Sequence, residues 1–145
     1  MVTTTKNRPV STTSTTHSKI LYVDDDSDDC IFLSESFAAT GNTDLVYASD
    51  GEEAINYLNS VNHEALPSLI ILDLNMPKRD GRQTLNYIKS NPNLSGIPVV
   101  ILSTSENKID KEICKRLGAV SYMQKPFHYD GYKDIVKNCI PLIKG

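Results

Sequence analysis

Two apolar segments that end in carboxylates constrain the fold of this chain most strongly. Residues 69–72 form an uninterrupted apolar run that ends at Asp73, and the largely apolar run 20–23 ends in the acidic residues 24–26. Short runs of this kind are typical of strands buried on both faces of a parallel sheet. Ligands of such sheets bind beyond the carboxyl ends of the strands. A lone aspartate there could simply cap a turn, but two acidic strand ends favour a site that holds a cation.

Five predicted strands alternate with helical patterns from residue 19 onward. Three strands are almost wholly apolar and belong in the sheet centre, while two are mixed and belong at its edges. The apolar strands are 20–23, 69–72 and 99–102, and the mixed strands are 45–48 and 120–124. Right-handed crossovers then predict an α/β fold: a doubly wound (βα)5, flavodoxin-like parallel sheet with strand order 2-1-3-4-5.

Capping signals and apolar spacing predict the helix ends. Ser27 is expected to cap a first helix that runs through Phe37 and is closed by Gly41. Ser49 and Glu52 have the spacing of a capping box before the second helix. The other helices are marked by Leu85 and Ile88, by Ile109, Ile113 and Leu117 up to Gly118, and by Ile135, Val136, Cys139 and Ile140 up to Pro141.

The first 18 residues differ in composition from the rest of the chain. Residues 1–18 are dominated by Thr and Ser, and such a segment buries too little apolar surface to offset its ordering entropy. We therefore predict a disordered arm at 1–18 and one compact domain at 19–145. His17 lies in the arm and is interpreted as a solvated residue rather than a phosphorelay histidine.

Composition argues against several classes of protein. The formal net charge of −3 disfavours a general nucleic-acid binder. Cys30, Cys114 and Cys139 are widely spaced and lack paired histidines, so neither a zinc site nor a disulfide framework is indicated. No apolar run approaches the roughly 20 residues that span a bilayer. We expect a cytoplasmic protein with free thiols, no direct nucleic-acid binding and no membrane segment.

Four strand ends are predicted to meet at one edge of the sheet. The first and third strands flank the point where the strand order reverses, which brings Asp24, Asp25 and Asp73 together. Crowded carboxylates have raised pKa values or share a divalent cation, and Mg²⁺ suits a site with few carboxylates and several waters. Ser103 ends the fourth strand and Lys125 follows the fifth, which adds a hydroxyl and an ammonium group.

These features resemble the receiver domains of two-component response regulators from Lys19 onward. The segment 77–82, together with 103–105, is similar to small single-domain regulators that include partners of bacterial phytochrome kinases. The pieces that carry the family resemblance are 23–25, 72–77, Asp80, Gly81, 98–103, 118–119, Tyr122 and 125–127.

The resemblance implies a phosphotransfer site. Asp73 would accept a phosphoryl group from a histidine of a kinase, and Lys125 would pair with the phosphoryl oxygens. Asp25, Asp73 and the backbone carbonyl of Asn75 would bind Mg²⁺. Asp24 would reach the ion directly or through water. The donor would be a sensor histidine kinase, with the phytochrome type as one candidate, or a histidine phosphotransfer protein.

The resemblance also implies a switch. Ser103 would move to hydrogen-bond the phosphoryl group, and Tyr122 would rotate into the vacated space. The peptide between Lys125 and Pro126 is expected to be cis. An unidentified downstream protein would recognise the face formed by the fourth helix, fifth strand and fifth helix, over about 108–138. Homodimerisation through these helices is common in the family, and no motif of the chain requires it.

Other functions are weighed against this one. A phosphatase of the haloacid dehalogenase type needs a second acid two residues after the nucleophile, where this chain has Asn75. A flavin carrier would have phosphate-cradling residues after the first strand, where acids lie here. A receiver that acts as an unphosphorylated scaffold, or as a phosphate sink, stays open. No output-domain motif follows the fifth helix, so we expect a non-enzymatic regulator that acts through partner proteins.

Overall fold

The computed structural model describes residues 2–5, 18–41, 43–74 and 80–143. The strands are β1 (Val2–Thr5), β2 (Ser18–Val23), β3 (Thr43–Ala48), β4 (Leu69–Asp73), β5 (Val99–Ser103) and β6 (Ser121–Gln124). The α-helices are α1 (Ser27–Ala38), α2 (Gly51–Ser60), α3 (Gly81–Ser90), α4 (Lys108–Arg116) and α5 (Tyr132–Cys139). Single 3₁₀ turns lie at His63–Ala65, Tyr129–Gly131 and Ile140–Leu142.

The six strands form one sheet in the order β1-β3-β2-β4-β5-β6. β1 runs antiparallel to β3, and the other neighbouring pairs are parallel. Numbered among themselves, the five parallel strands have the order 2-1-3-4-5, which confirms the predicted fold class. Across the described ranges, no helix has the length and apolar character that crossing a membrane requires.

Each face of the sheet carries its own apolar core. Successive side chains of a strand point to opposite faces, so Leu21 packs in one core while Tyr22 packs in the other. The first core lies under α2, α3 and α4, and the second lies under α1 and α5. This division explains why the central strands are apolar at nearly every position.

The prediction of a disordered arm over residues 1–18 is wrong at both ends of the segment. Ser18 begins β2, and Val2–Thr5 pair with β3 in a register that runs from Val2 opposite Ala48 to Thr5 opposite Leu45. Val and Thr are β-branched and suit a strand, and backbone pairing at a sheet edge needs no buried side chain. β3, which we expected at an edge, is therefore covered. Residues 6–17, with His17, lie outside the described residues.

The two predicted N-terminal helix caps, Ser27 and Ser49, are each displaced by one residue. Asp26, rather than Ser27, caps α1 with its side chain. At α2 the capping residue is Asp50, whose Oδ1 accepts the backbone N–H of Glu53 at 2.8 Å. Glu53 in turn accepts the backbone N–H of Ser49 at 2.9 Å. Ser and Asp cap helices about equally well, so neighbouring Ser and Asp residues leave the exact start ambiguous in the sequence.

Candidate functional site

Three carboxylates meet at the carboxyl ends of β2 and β4. Asp24, Asp25 and Asp73 each contribute an oxygen to a cluster in which these oxygens lie within 4.8 Å of one another. The parallel register sets Val23 opposite Leu72, so the residues that follow emerge side by side. Asp24 and Asp73 are buried, whereas Asp25 is exposed to solvent. The cluster is thus open on one side.

The donor set of this cluster fits a divalent cation. Its ligand atoms are carboxylate oxygens, which are the atoms that Mg²⁺, Mn²⁺ and Ca²⁺ prefer. Asp29 of α1 adds a fourth carboxylate near the cluster, and Lys125 brings one positive charge. Four carboxylates around one ammonium leave an excess of negative charge that a divalent ion would balance. Asn75, which we expected to add a carbonyl ligand, lies outside the described residues.

Lys125 is shared among three of these carboxylates. Its Nζ atom lies 2.8 Å from Asp24 Oδ2, 3.4 Å from Asp29 Oδ2 and 3.5 Å from Asp73 Oδ2. Burial alone would lower the pKa of Lys125, but the hydrogen bond and charge of Asp24, with the other two carboxylates, raise it above its ordinary value. The carboxylates thus favour the charged form of the side chain. The peptide between Lys125 and Pro126 is trans, so the expectation of a cis bond is wrong, and trans is the more stable isomer.

Ser103 is held by the loop that follows β5. It is fully buried at the end of β5, and its Oγ accepts the backbone N–H of Ser105 at 3.1 Å. β4 and β5 pair with Asp73 opposite Leu102, which puts Ser103 one position further along the neighbouring strand. The hydroxyl thus lies next to the acidic cluster but is engaged by its own loop.

Tyr122 is tied to the same loop. Its hydroxyl donates to the backbone carbonyl of Ser105 at 2.9 Å. The half-buried ring packs against the core under α2, α3 and α4, and Lys111 Nζ lies 5.8 Å from the ring centroid. Ser105 is therefore bonded to both side chains: its N–H donates to Ser103, and its carbonyl accepts from Tyr122.

Tyrosines surround the carboxylates, and the sequence analysis missed them. Tyr22, fully buried on β2, donates its hydroxyl to Asp24 Oδ2. Tyr47 of β3 donates to the backbone carbonyl of Asp24 at 2.6 Å. Tyr132 of α5 makes a side-chain hydrogen bond with Asp29. For Tyr22 the available signal was its position two residues before Asp24, because positions i and i+2 of a strand share a face.

The pKa values of these tyrosines keep them protonated. Burial, followed by the charge of Asp24, raises the pKa of Tyr22 and raises that of Tyr47 to about 12. Burial and the hydrogen bond to Asp29 raise the pKa of Tyr132. At physiological pH, Tyr22 and Tyr132 therefore donate to carboxylates of the site, whereas Tyr47 donates only to the backbone of Asp24.

Gly81 seats α3 against the backbone that carries Asp73. Its N–H donates to the carbonyl of Leu74 at 2.9 Å, and Asp80 caps the helix by accepting the N–H of Gln83 at 3.0 Å. A Cβ atom at Gly81 would lie 2.6 Å from the carbonyl oxygen of Asp73 and 2.6 Å from Leu74 Cα. Only glycine allows this close approach without a backbone shift.

Comparisons with known proteins identify a family to which the chain is similar. Residues 20–137 match the family of response regulator receiver domains. Response regulator Rcp1 of Synechocystis sp. is 38% identical over 110 residues, which cover 73% of this chain and 75% of that protein.

Solved structures give the same result. The phosphorylated cyanobacterial phytochrome response regulator RcpA is 40% identical, with a TM-score of 0.77 over 85% of this chain and 91% of that one. The Mn²⁺-bound form of Rcp1 is 33% identical, with a TM-score of 0.76 over 84% and 91%. The predicted resemblance to receiver domains, and to regulators associated with phytochromes, is confirmed.

Proposed function

Because the chain belongs to the response regulator receiver domain family of two-component signalling, we propose that it accepts a phosphoryl group on Asp73. One observation carries the proposal: Asp73 ends a central strand within a cluster of carboxylates, with Lys125 Nζ 3.5 Å from its Oδ2. A nucleophilic carboxylate, acidic neighbours for a metal ion and a cation for phosphoryl oxygens are the groups that phosphoryl transfer requires.

Mg²⁺ is the proposed cofactor. Asp25, Asp73 and the backbone carbonyl of Asn75 would hold it, with Asp24 beside them, and the Mn²⁺-bound form of the relative Rcp1 supports a divalent ion here. When bound, the ion neutralises the charge on the phosphoryl oxygens during transfer.

The proposed transfer runs from phosphohistidine to Asp73. An oxygen of Asp73 attacks the phosphorus atom, the bond between phosphorus and the imidazole nitrogen breaks, and that nitrogen keeps the electron pair. The product is an acyl phosphate on Asp73. Lys125 pairs with a phosphoryl oxygen and so neutralises part of the charge on the transferred group.

The proposed switch begins at Ser103. Its hydroxyl turns towards the phosphoryl group. This movement breaks the 3.1 Å hydrogen bond that Ser103 Oγ accepts from the N–H of Ser105 in the unphosphorylated protein. The loop that this contact holds is also the acceptor for the hydroxyl of Tyr122, at 2.9 Å. Release of the loop therefore frees Tyr122 to rotate inward, and the phosphoryl group shifts the population towards this state.

The proposed donor is a histidine kinase of the phytochrome type or a histidine phosphotransfer protein. The description of RcpA as a phytochrome response regulator supports a kinase of this type. A downstream protein would recognise the face of α4, β6 and α5, because Tyr122 lies there on β6.

Intact mass spectrometry after incubation with acetyl phosphate tests the phosphoacceptor. We expect wild type to gain one phosphoryl mass with Mg²⁺ and none without it. Asp73→Asn should gain none, because the amide is not a nucleophile for phosphorus. Asp134→Asn, which changes an exposed carboxylate of α5 outside the acidic cluster, is the matched control and should be labelled like wild type.

Two results would contradict the proposal. Labelling of Asp73→Asn at the wild-type rate would mean that another residue is the acceptor. Absence of labelling in wild type, both with acetyl phosphate and with a phosphorylated histidine kinase, would favour a receiver that acts as an unphosphorylated scaffold.

A further inference from the structure

We propose that Tyr22 is a positioning residue for phosphotransfer, because its hydroxyl holds Asp24 in place when Lys125 leaves Asp24 for the phosphoryl group. The inference rests on the proposed function of Asp73 and adds a residue that the resemblance to receiver domains does not supply. It also predicts how Asp24 divides its interactions between protein donors and a metal ion.

The hydroxyl of Tyr22 has its partner inside the protein. The side chain is fully buried in the core under α1 and α5, and its ring centroid lies 6.3 Å from that of Tyr47. A buried hydroxyl without a partner costs several kcal/mol, by general estimates on the order of 2–7 kcal/mol. Asp24 Oδ2 accepts its hydrogen bond, so the tyrosine and the carboxylate hold each other in one orientation.

The two oxygens of Asp24 are unequally occupied. Oδ2 accepts from both Tyr22 and Lys125, the latter at 2.8 Å, which uses both of its lone pairs. Oδ1 accepts the backbone N–H of Asp26 at 3.0 Å and keeps one lone pair for a metal ion or a water bound to it. Tyr22 thereby limits Asp24 to a single contact with the metal site.

Tyr22 would still donate to Asp24 after Lys125 moved away from this carboxylate. A phosphoryl group on Asp73 would draw the ammonium group away from Asp24, which it contacts at 2.8 Å. Asp24 is fully buried, and a buried carboxylate that loses its charged partner is strongly destabilised. The hydroxyl of Tyr22 remains on Oδ2 and lowers the cost of that movement.

The same arrangement recurs at the other carboxylate that Lys125 would leave. Asp29, whose Oδ2 lies 3.4 Å from the ammonium group, is also hydrogen-bonded by Tyr132. Each carboxylate thus has one lysine contact that would be lost and one tyrosine contact that would stay. This pairing is what a lysine that moves during phosphotransfer requires.

Tyr22→Phe tests the proposal because two measurements should change in opposite directions. Removal of the hydroxyl leaves more of the negative charge of Asp24 uncompensated, so Mn²⁺, followed by electron paramagnetic resonance, should bind about threefold to tenfold more tightly. Lys125 should then be held more firmly by Asp24, and labelling by acetyl phosphate at saturating Mg²⁺ should be slower by about the same factor. A purely structural role would weaken both properties together.

Tyr47→Phe is the matched control. Its hydroxyl contacts the backbone carbonyl of Asp24 and not the carboxylate, so Mn²⁺ affinity should stay within about twofold of wild type. Urea unfolding of each variant establishes that the assays are performed on folded protein.

Unchanged or weaker Mn²⁺ binding by Tyr22→Phe would overturn the proposal, as would labelling at the wild-type rate. The two hypotheses fail in different ways. If wild type is not labelled, the proposed function fails and the role of Tyr22 in phosphotransfer fails with it. If wild type is labelled and only the Tyr22→Phe pattern is absent, the function stands and the positioning role falls.

Discussion

At the scale of single residues, Gly81 joins the fold to the site. We expect Gly81→Ala to slow acetyl phosphate labelling by about tenfold or more, because the new Cβ would collide with the backbone of Asp73 and Leu74. Displacement of a reacting group by about 1 Å costs on the order of a hundredfold in rate. Overpacking should also lower the free energy of unfolding by about 1–3 kcal/mol. Labelling kinetics and urea unfolding measure the two effects.

Gly118→Ala provides the comparison for this variant. Gly118 has a φ of +107° after α4, and an added Cβ would meet the flexible side chain of Lys89 at 3.0 Å. We expect a similar loss of stability from backbone strain, with labelling at the wild-type rate. If Gly81→Ala were labelled normally while it lost stability, the contact with the Asp73 backbone would have no bearing on the site.

Cys139 gives the fold a pH dependence that does not involve the site. Burial raises the pKa of its thiol to about 12, against 9.0 for the ordinary group. The thiol therefore stays protonated in the folded protein and ionises in the unfolded chain once the pH exceeds about 9. Its contribution to stability is complete below pH 9 and is lost as the pH rises towards 12, by about 1.4 kcal/mol per pH unit.

Cys139→Ala isolates this effect. The variant has no thiol to titrate at this position. The cavity left by the missing sulfur lowers the stability of the variant at pH 7. Between pH 8 and 10, we expect wild type to lose about 1.4 kcal/mol more unfolding free energy than the variant does. Urea unfolding under reducing conditions measures the difference. Parallel curves over this range would show that the thiol ionises equally well in the folded protein.

At the scale of secondary structure, a salt bridge connects α3 to α4 beside the loop 104–107 that follows β5. Arg82 Nη1 of α3 lies 2.8 Å from Asp110 Oδ1 of α4, and Asp110 Oδ2 accepts the hydroxyl of Ser105 at 3.3 Å. Because Ser105 also contacts Ser103 and Tyr122, the bridge restrains the loop that the proposed switch must release.

Arg82→Ala should loosen this loop. We expect faster amide hydrogen exchange over residues 104–110 and a loss of about 0.5–1 kcal/mol in unfolding free energy, since the bridge is only partly buried. Labelling by acetyl phosphate should become about twofold to fivefold faster, because the restraint on Ser103 is weaker. Arg116→Ala, which removes an exposed pair with Glu112 at 3.8 Å, should change none of these. Equal exchange in both variants would rule out a restraining role.

The elements differ in how well the sequence predicts them, for physical reasons. β2, β4 and β5 are apolar at nearly every position, and that pattern suits only the centre of a parallel sheet, so their neighbours and the acidic edge follow. β1 was missed because its pairing depends on backbone hydrogen bonds at an edge, which leave no apolar pattern. Tyr22 was missed because a buried tyrosine in an apolar run looks like any other core residue until its hydroxyl partner is known.

At the scale of the whole molecule, the site lies at the edge of the sheet that separates the two cores. Tyr122 packs against the core under α2, α3 and α4, whereas Tyr22 and Tyr132 belong to the core under α1 and α5. Ser103 ends β5 and Lys125 follows β6, at the same edge of the sheet. The backbone N–H of Lys125 donates to the carbonyl of Ser103 at 2.8 Å. A phosphoryl group that draws both side chains inward would therefore act on both layers at once.

β1 covers the edge of this assembly that lies furthest from β6. Deletion of residues 1–17 should change the unfolding free energy by less than about 1 kcal/mol. Net hydrogen-bond gains of about 0.5–1.5 kcal/mol each are offset by an ordering entropy of about 1–2 kcal/mol per residue. The larger effect should be on association, because the exposed edge of β3 presents unpaired backbone groups to a second chain.

Light scattering after size exclusion, at increasing protein concentration, distinguishes these effects. The truncated chain should associate more strongly than the full chain, while acetyl phosphate labelling stays unchanged because the acidic cluster is at the carboxyl ends of β2 and β4. A full-length variant with Val2→Pro and Thr4→Pro, which cannot donate backbone hydrogen bonds at these positions, should associate like the truncated chain. If both variants stay in the same oligomeric state as wild type, β1 does not protect the edge of β3, and its pairing has no role in keeping chains apart.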